Sequence, residues 1–153
     1  MANSTTYFLP SSPEWKLTKK PMKASTAMVE GAAIGIEISG NTTTGYVTLM
    51  PVENAAGGDF VGILAEPIAA TDSDYATAGK LKAVYVPTSP RARAKFKVGA
   101  GTFTAADVFK TVEFHSDSAS LAVDTAGKGA RIVKYVSSTE GECEFVLPNT
   151  ETA

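Results

Sequence analysis

From residue 24 onward the chain alternates apolar and polar positions in short runs, each bounded by Gly, Pro, Asn, Asp or Ser, which is the pattern of strands and turns. Gly35-Ile36-Glu37-Ile38 sets its isoleucines on one face and ends in the turn Ser39-Gly40-Asn41. Residues 46–50 follow as a strand stopped by Pro51, so the two predict a hairpin. A loop over 54–59, with Gly57-Gly58, leads into the apolar run 60–65, which has the length of a buried strand and stops before Pro67. A polar connection over 69–79 precedes a strand at 81–86.

The cleanest alternation comes next. Ala92, Ala94, Phe96 and Val98 point one way; Arg91, Arg93, Lys95 and Lys97 point the other. Gly99-Ala100-Gly101 is expected to break this strand. Thr104-Ala105-Ala106-Asp107 has the spacing of a capping box and predicts a single helical turn over 105–109. Runs at 111–115, 119–123 and 130–136 read as a meander, and a closing strand at 142–147 is expected to pair with 130–136 across 137–141. About eight short strands with no internal repeat predict an all-β protein, a compact small barrel or sandwich with at most one or two short helical turns.

Residues 1–23 differ from the rest. They hold Pro10, Pro13 and Pro21, scattered Ser and Thr, and isolated large apolar side chains at Tyr7, Phe8, Leu9, Trp15 and Leu17. Proline opposes helices and central strands, and such a segment cannot bury its own aromatics. It is read as an extended N-terminal arm that docks elsewhere, on a neighbouring surface or back on its own domain. The core is placed at 24–148 and a short tail at 149–153.

Composition narrows the function. At 153 residues and 44% hydrophobic content the chain supports one cooperative domain. A net charge of −2 supplies no field for nucleic acid or an anionic membrane, no run approaches the roughly 20 residues of a membrane span, and the N-terminus lacks a signal-peptide pattern. One cysteine, Cys143, excludes an intrachain disulfide, and a catalytic dyad would have to use it with the single histidine, His115. Neither sits in a nucleophile signature. Asp72-Ser73-Asp74 has the first spacing of a calcium loop but lacks its glycine and distant glutamate. No enzyme activity, metal or cofactor is expected. The basic face Arg91, Arg93, Lys95 and Lys97 reads as a solvated strand face first, then as an electrostatic contact for an acidic protein surface, and last as a phosphate-backbone contact, which the net acidity and the lack of interleaved stacking aromatics oppose.

Three segments carry a resemblance. Phe60-Val61-Gly62-Ile63-Leu64-Ala65 and then Lys97-Val98-Gly99-Ala100-Gly101-Thr102-Phe103-Thr104-Ala105-Ala106-Asp107-Val108 resemble the core of lambda-type bacteriophage head decoration proteins, and Gly127-Lys128-Gly129-Ala130-Arg131-Ile132-Val133, with the closing strand to Leu147, is similar to the related capsid-accessory proteins of bacterial viruses, over roughly residues 33–147 in all. The resemblance implies a β-tulip-like barrel, a homotrimer at local three-fold positions, the major capsid protein as partner, and an arm that adds to the shell. It implies a virion protein on the capsid surface, assembled in the host cytoplasm. The chain departs in its Trp15-bearing arm and longer loops. Expected contacts are Tyr7, Phe8, Leu9, Trp15 and Leu17, with Arg91, Arg93, Lys95 and Lys97 as a second group. The alternative is a displayed β module that binds carbohydrate or a receptor through Tyr75 or Tyr85.

Overall fold

The computed structural model describes residues 8–40, 42–50, 59–127 and 129–146. Among them the chain is all-β. The strands are β1 (Leu9–Pro10), β2 (Trp15–Met22), β3 (Ala33–Ser39), β4 (Thr42–Leu49), β5 (Phe60–Leu64), β6 (Lys80–Pro87), β7 (Arg93–Ala100), β8 (Thr111–Phe114), β9 (Leu121–Ala126), β10 (Ala130–Ser137) and β11 (Glu140–Phe145). A 3-10 turn at Ala105–Asp107 separates β7 from β8.

β2-β4-β3-β5-β6 close into a barrel. The other strands form a sheet in the order β1-β7-β11-β10-β8-β9, and a parallel β7–β9 pairing joins its two sides, so these strands also curl round on themselves. Both predicted hairpins are present, as the antiparallel pairs β3–β4 and β10–β11. The capping box is complete: the Thr104 side chain accepts from the turn, and the Asp107 carboxylate accepts the Thr104 N–H at 2.9 Å.

The meander is corrected. β9 does not lie beside β10; β8 stands between them, and β9 pairs β7 on its far side. The connection from β9 to β10 must therefore cross the end of β8 closely. Gly127 and Gly129 permit it, since a Cβ on Gly127 would meet the Glu113 carboxyl and one on Gly129 would meet the backbone of Val112 and Phe114.

The arm is corrected as well. Residues 15–22 form a full strand whose register with β6 runs without a break from Trp15↔Pro87 to Met22↔Lys80. Phe8 is 1% exposed. The boundary at residue 23 thus falls at the end of a barrel strand. Among the described residues the other edge of β2 meets β4 only at Met22↔Val47, so Trp15 to Lys20 lie along an open edge. Lysines and a proline suit such an edge, where they oppose indiscriminate pairing. Tyr7 and the tail at 149–153 lie outside the described residues.

Two apolar clusters hold the body together. One fills the closed barrel, around Met22, Met28, Ile34, Val47, Leu64, Ile68 and Val84. The other joins the two sheets: Phe60 stacks on Phe145 at 4.1 Å between centroids with a 2° interplanar angle. Phe8 stands edge-on to Phe145 and Phe114, at 5.2 and 5.8 Å. Trp15 packs edge-on to Phe145 at 6.0 Å and donates its indole N–H to Arg93 O at 2.9 Å. Two of the side chains expected to bind outward, Phe8 and Trp15, therefore help seal the two sheets together. Burial of aromatic area at this density is worth several kcal/mol per ring, on the order of the whole net stability of a domain once summed.

Candidate interaction surfaces

β7 places Ala94 and Phe96 inward at 0% and 1% exposure, and turns Arg93, Lys95 and Lys97 outward, as the alternation predicts. Arg91 is exposed just before the strand. The neighbouring strand β11 alternates too, with Gly141, Cys143 and Phe145 buried and Glu140, Glu142 and Glu144 on the other face. Register sets each glutamate against a cation: Glu140↔Lys97, Glu142↔Lys95 and Glu144↔Arg93. On its far side β11 meets β10, with Arg131↔Glu144 and Lys134↔Glu142. Glu144 thus sits between two arginines, 3.9 Å from Arg93 and 3.7 Å from Arg131, and Glu140 pairs with Lys97 at 3.2 Å. The basic face is one stripe of a mixed ladder running basic, acidic, basic. This arrangement replaces the expected uniform basic patch. Exposed pairs of this kind add at most about 1 kcal/mol each, so the ladder sets register and surface character more than stability.

Exposed apolar side chains gather in at least two places. On the outer face of β2 and β6, Leu17 and Leu81 are 57% and 58% exposed. Cross-strand pairing puts Leu17 opposite Tyr85, Lys19 opposite Ala83 and Pro21 opposite Leu81. Trp15 and Tyr85, on the same face, pack under the second sheet; Leu17, Pro21, Ala83 and Leu81 continue that face beyond it, around the single charge of Lys19. Leu9, 44% exposed, lies opposite Lys95 on the charged face. Of the predicted arm contacts, Leu9 and Leu17 are at the surface, Phe8 is in the core and Trp15 is mostly committed to it.

The second place is Phe109, 66% exposed, which residue patterning did not single out. Its φ is +79°, a left-handed conformation that costs a bulky side chain on the order of 1–3 kcal/mol. The turn that presents it is pinned on both sides. Asp107 accepts from Thr104 N and from Lys110 Nζ at 3.0 Å, and Phe109 N–H donates to Ile132 O at 2.6 Å. The Arg131 guanidinium lies over the ring, 5.0 Å from its centroid. Nearby on β10, Val136 is 51% exposed and Tyr135, tilted against buried Phe103, is 37% exposed.

The groups considered for chemistry are otherwise engaged. Cys143 lies wholly inside the second sheet; burial, then the charges of Glu144 and Glu142, push its thiol well up, so it stays a neutral apolar filler. His115 sits just past β8 with its ring against Gly99, where Ser120 gives its hydroxyl hydrogen to Asp117 at 2.9 Å. Asp72 caps the Ala69 N–H at 2.9 Å, and Asp74 pairs with Lys82 at 3.1 Å. β7 ends within Gly99-Ala100-Gly101, at Ala100, and Gly101 turns the chain at φ +91°. Tyr75 and Tyr85, the contacts expected of a carbohydrate- or receptor-binding module, are partly buried and pack against the two cores. Among the described residues no group of three or more His, Cys, Asp or Glu side chains converges on a metal position, and no helix is long and apolar enough to cross a membrane.

No protein-family model matches the chain, and no curated protein or solved structure matches it.

Proposed function

We propose that the protein is a structural subunit that binds the outside of a bacteriophage capsid and stabilises it by bridging neighbouring major capsid subunits, as a homotrimer. The sequence resemblance supplies the class of target. The observation that carries an adhesive role is the outer face of β2 and β6, where the exposed Leu17 and Leu81 and the half-buried Pro21 and Ala83 surround Lys19. Apolar side chains grouped on one sheet face, next to a region of the same face that is already covered by protein, have the character of a surface completed by association. The adhesive element of this reading is therefore a folded sheet face and not a flexible arm. A bridging subunit adds buried area between shell proteins without chemistry, and a trimer multiplies weak contacts by effective concentration.

The test is co-sedimentation with expanded phage shells lacking their own decoration protein, alongside light scattering for the trimer. Leu17→Glu with Leu81→Glu alters two exposed side chains and is expected to leave the melting temperature in place while abolishing decoration. If the double variant decorates as fully as the unaltered protein, this face is not the adhesive one; if the unaltered protein never sediments with shells, the capsid reading itself fails.

A further inference from the structure

We propose that the open edge of β10, residues 133–137, with Phe109 at its end, is a strand-addition site for an extended, acidic segment of a partner protein. The inference rests on the capsid-binding reading only for who that partner is; the site follows from three independent observations.

The first is the edge. β11 pairs with β10 along its whole length, from Ala130↔Phe145 to Ser137↔Glu140. On the opposite side β8 covers only Ala130 and Arg131, and the backbone of Phe109 and Lys110 covers Ile132. Among the described residues nothing pairs with the edge beyond that point. Bulges at Ile132/Lys134 and Tyr135/Ser137 twist it, which disfavours flat, unselective pairing and leaves a shaped receptor for one strand.

The second is charge. Across the three strands the rows read Arg93–Glu144–Arg131 and Lys95–Glu142–Lys134. A fourth strand beside β10 meets Lys134 directly, so the pairing rule that built the other rows calls for a carboxylate there. The same rule argues against a second copy of this chain. Among the described residues the open stretch of β10 carries Lys134 and that of β2 carries Lys16, Lys19 and Lys20, so two such edges repel, whereas the acidic strand β11 is enclosed between β7 and β10.

The third is Phe109. A bulky side chain in a left-handed backbone, two-thirds exposed, is the reverse of what packing alone selects. It stands where the open edge begins, bonded to Ile132 and stacked by Arg131. An arriving strand would lay an apolar side chain against this ring and its main chain along 133–137, the arrangement by which edge-adding peptides gain affinity from backbone bonds and specificity from side-chain contacts.

The experiment uses the full chain and a blocked peptide of about ten residues alternating Glu and Val, with its Lys–Val counterpart as control. Amide exchange followed by NMR is expected to slow at residues 133–137 with the Glu–Val peptide and not with the control. Phe109→Gly suits the left-handed backbone, so it is expected to melt within about 2 °C of the unaltered protein while weakening the peptide about tenfold. Lys134→Glu is expected to reverse the preference between the peptides. No slowing with about millimolar peptide, slowing confined to other strands, or a Phe109→Gly variant with undiminished binding overturns the proposal. The shell assay separates the two readings: if the unaltered protein fails to sediment with shells, the capsid assignment falls and the peptide result still decides this site. If shells are decorated while the peptide leaves 133–137 unaffected, this site falls and the capsid assignment stands.

Discussion

Replacing Phe8 by alanine discriminates most sharply between an adhesive arm and a structural strap. Phe8 is 1% exposed, its ring is edge-on to Phe114 and Phe145, and its N–H is bonded to Gly31 O at 2.8 Å. Truncation would remove a buried ring and leave a cavity between the two sheets, a change that costs roughly 3–5 kcal/mol. For 153 residues the unfolding entropy near the midpoint is about 0.3 kcal/mol per degree, from roughly 2.1 cal/mol/K per residue, so about 4 kcal/mol lowers the melting temperature by about 12 °C. Differential scanning calorimetry measures it directly. Leu9→Ala is the internal control, because Leu9 is 44% exposed and its truncation should move the midpoint by only a few degrees. An arm that docks on another molecule makes the opposite forecast, with unchanged melting and lost binding. A Phe8→Ala protein that melts within about 2 °C of the parent would refute the strap. By the same reasoning, deleting residues 2–20 removes β1 and most of β2, opens the barrel and prevents folding.

Three further outcomes follow from single side chains. Asp107→Asn removes an acceptor of the Thr104 N–H and Lys110 and should cost about 1 kcal/mol in urea melts at pH 7. The Thr104 N–H and then Lys110 hold the Asp107 carboxyl below the ordinary aspartate range, so its contribution is present above that range and lost as pH falls through its lowered folded value; the difference between parent and variant should shrink in strong acid. Lys80, 7% exposed, donates to the carbonyls of Lys23, Tyr75 and Thr77, and Lys80→Met should destabilise by about 2–3 kcal/mol and speed amide exchange in residues 69–79. The Cys143 thiol, buried and neutral, should resist a disulfide-exchange reagent in the native protein and react fully in denaturant.

The legibility of this fold divides along one physical line. Strands that bury one face announced themselves through period-two alternation, as β7 and β11 did, and the capping box at Thr104 and Asp107 carried its own local signal. β2 was hidden by the residues that make it safe as an edge. Lys16, Lys19, Lys20 and Pro21 protect an open edge against unwanted partners, and they also erase the alternation and β-propensity by which a strand is recognised. A segment read as too polar and too proline-rich for a sheet was a sheet edge for that reason.

The surface shows the same division at the next level. The cations of β7 and the glutamates of β11 were each visible in sequence, but their meaning depended on register, which joins residues some 43 positions apart in the Lys97–Glu140 pair. Once joined, the basic face becomes one stripe of an alternating ladder, whose outer cationic strand, among the described residues, has no partner beyond Ile132 on its far side from β11. Phe109 could not have been foreseen, because a left-handed φ at phenylalanine has no compositional signature and arises only when the capped turn before it and Ile132 beyond it fix the backbone from both ends. Strain held in place by such local bonds persists because the surrounding contacts over-determine it. The place where local propensity is overridden by the fold is also the place where an apolar ring, a guanidinium and an open strand edge meet, and that coincidence is what ties the strain to binding and not to packing.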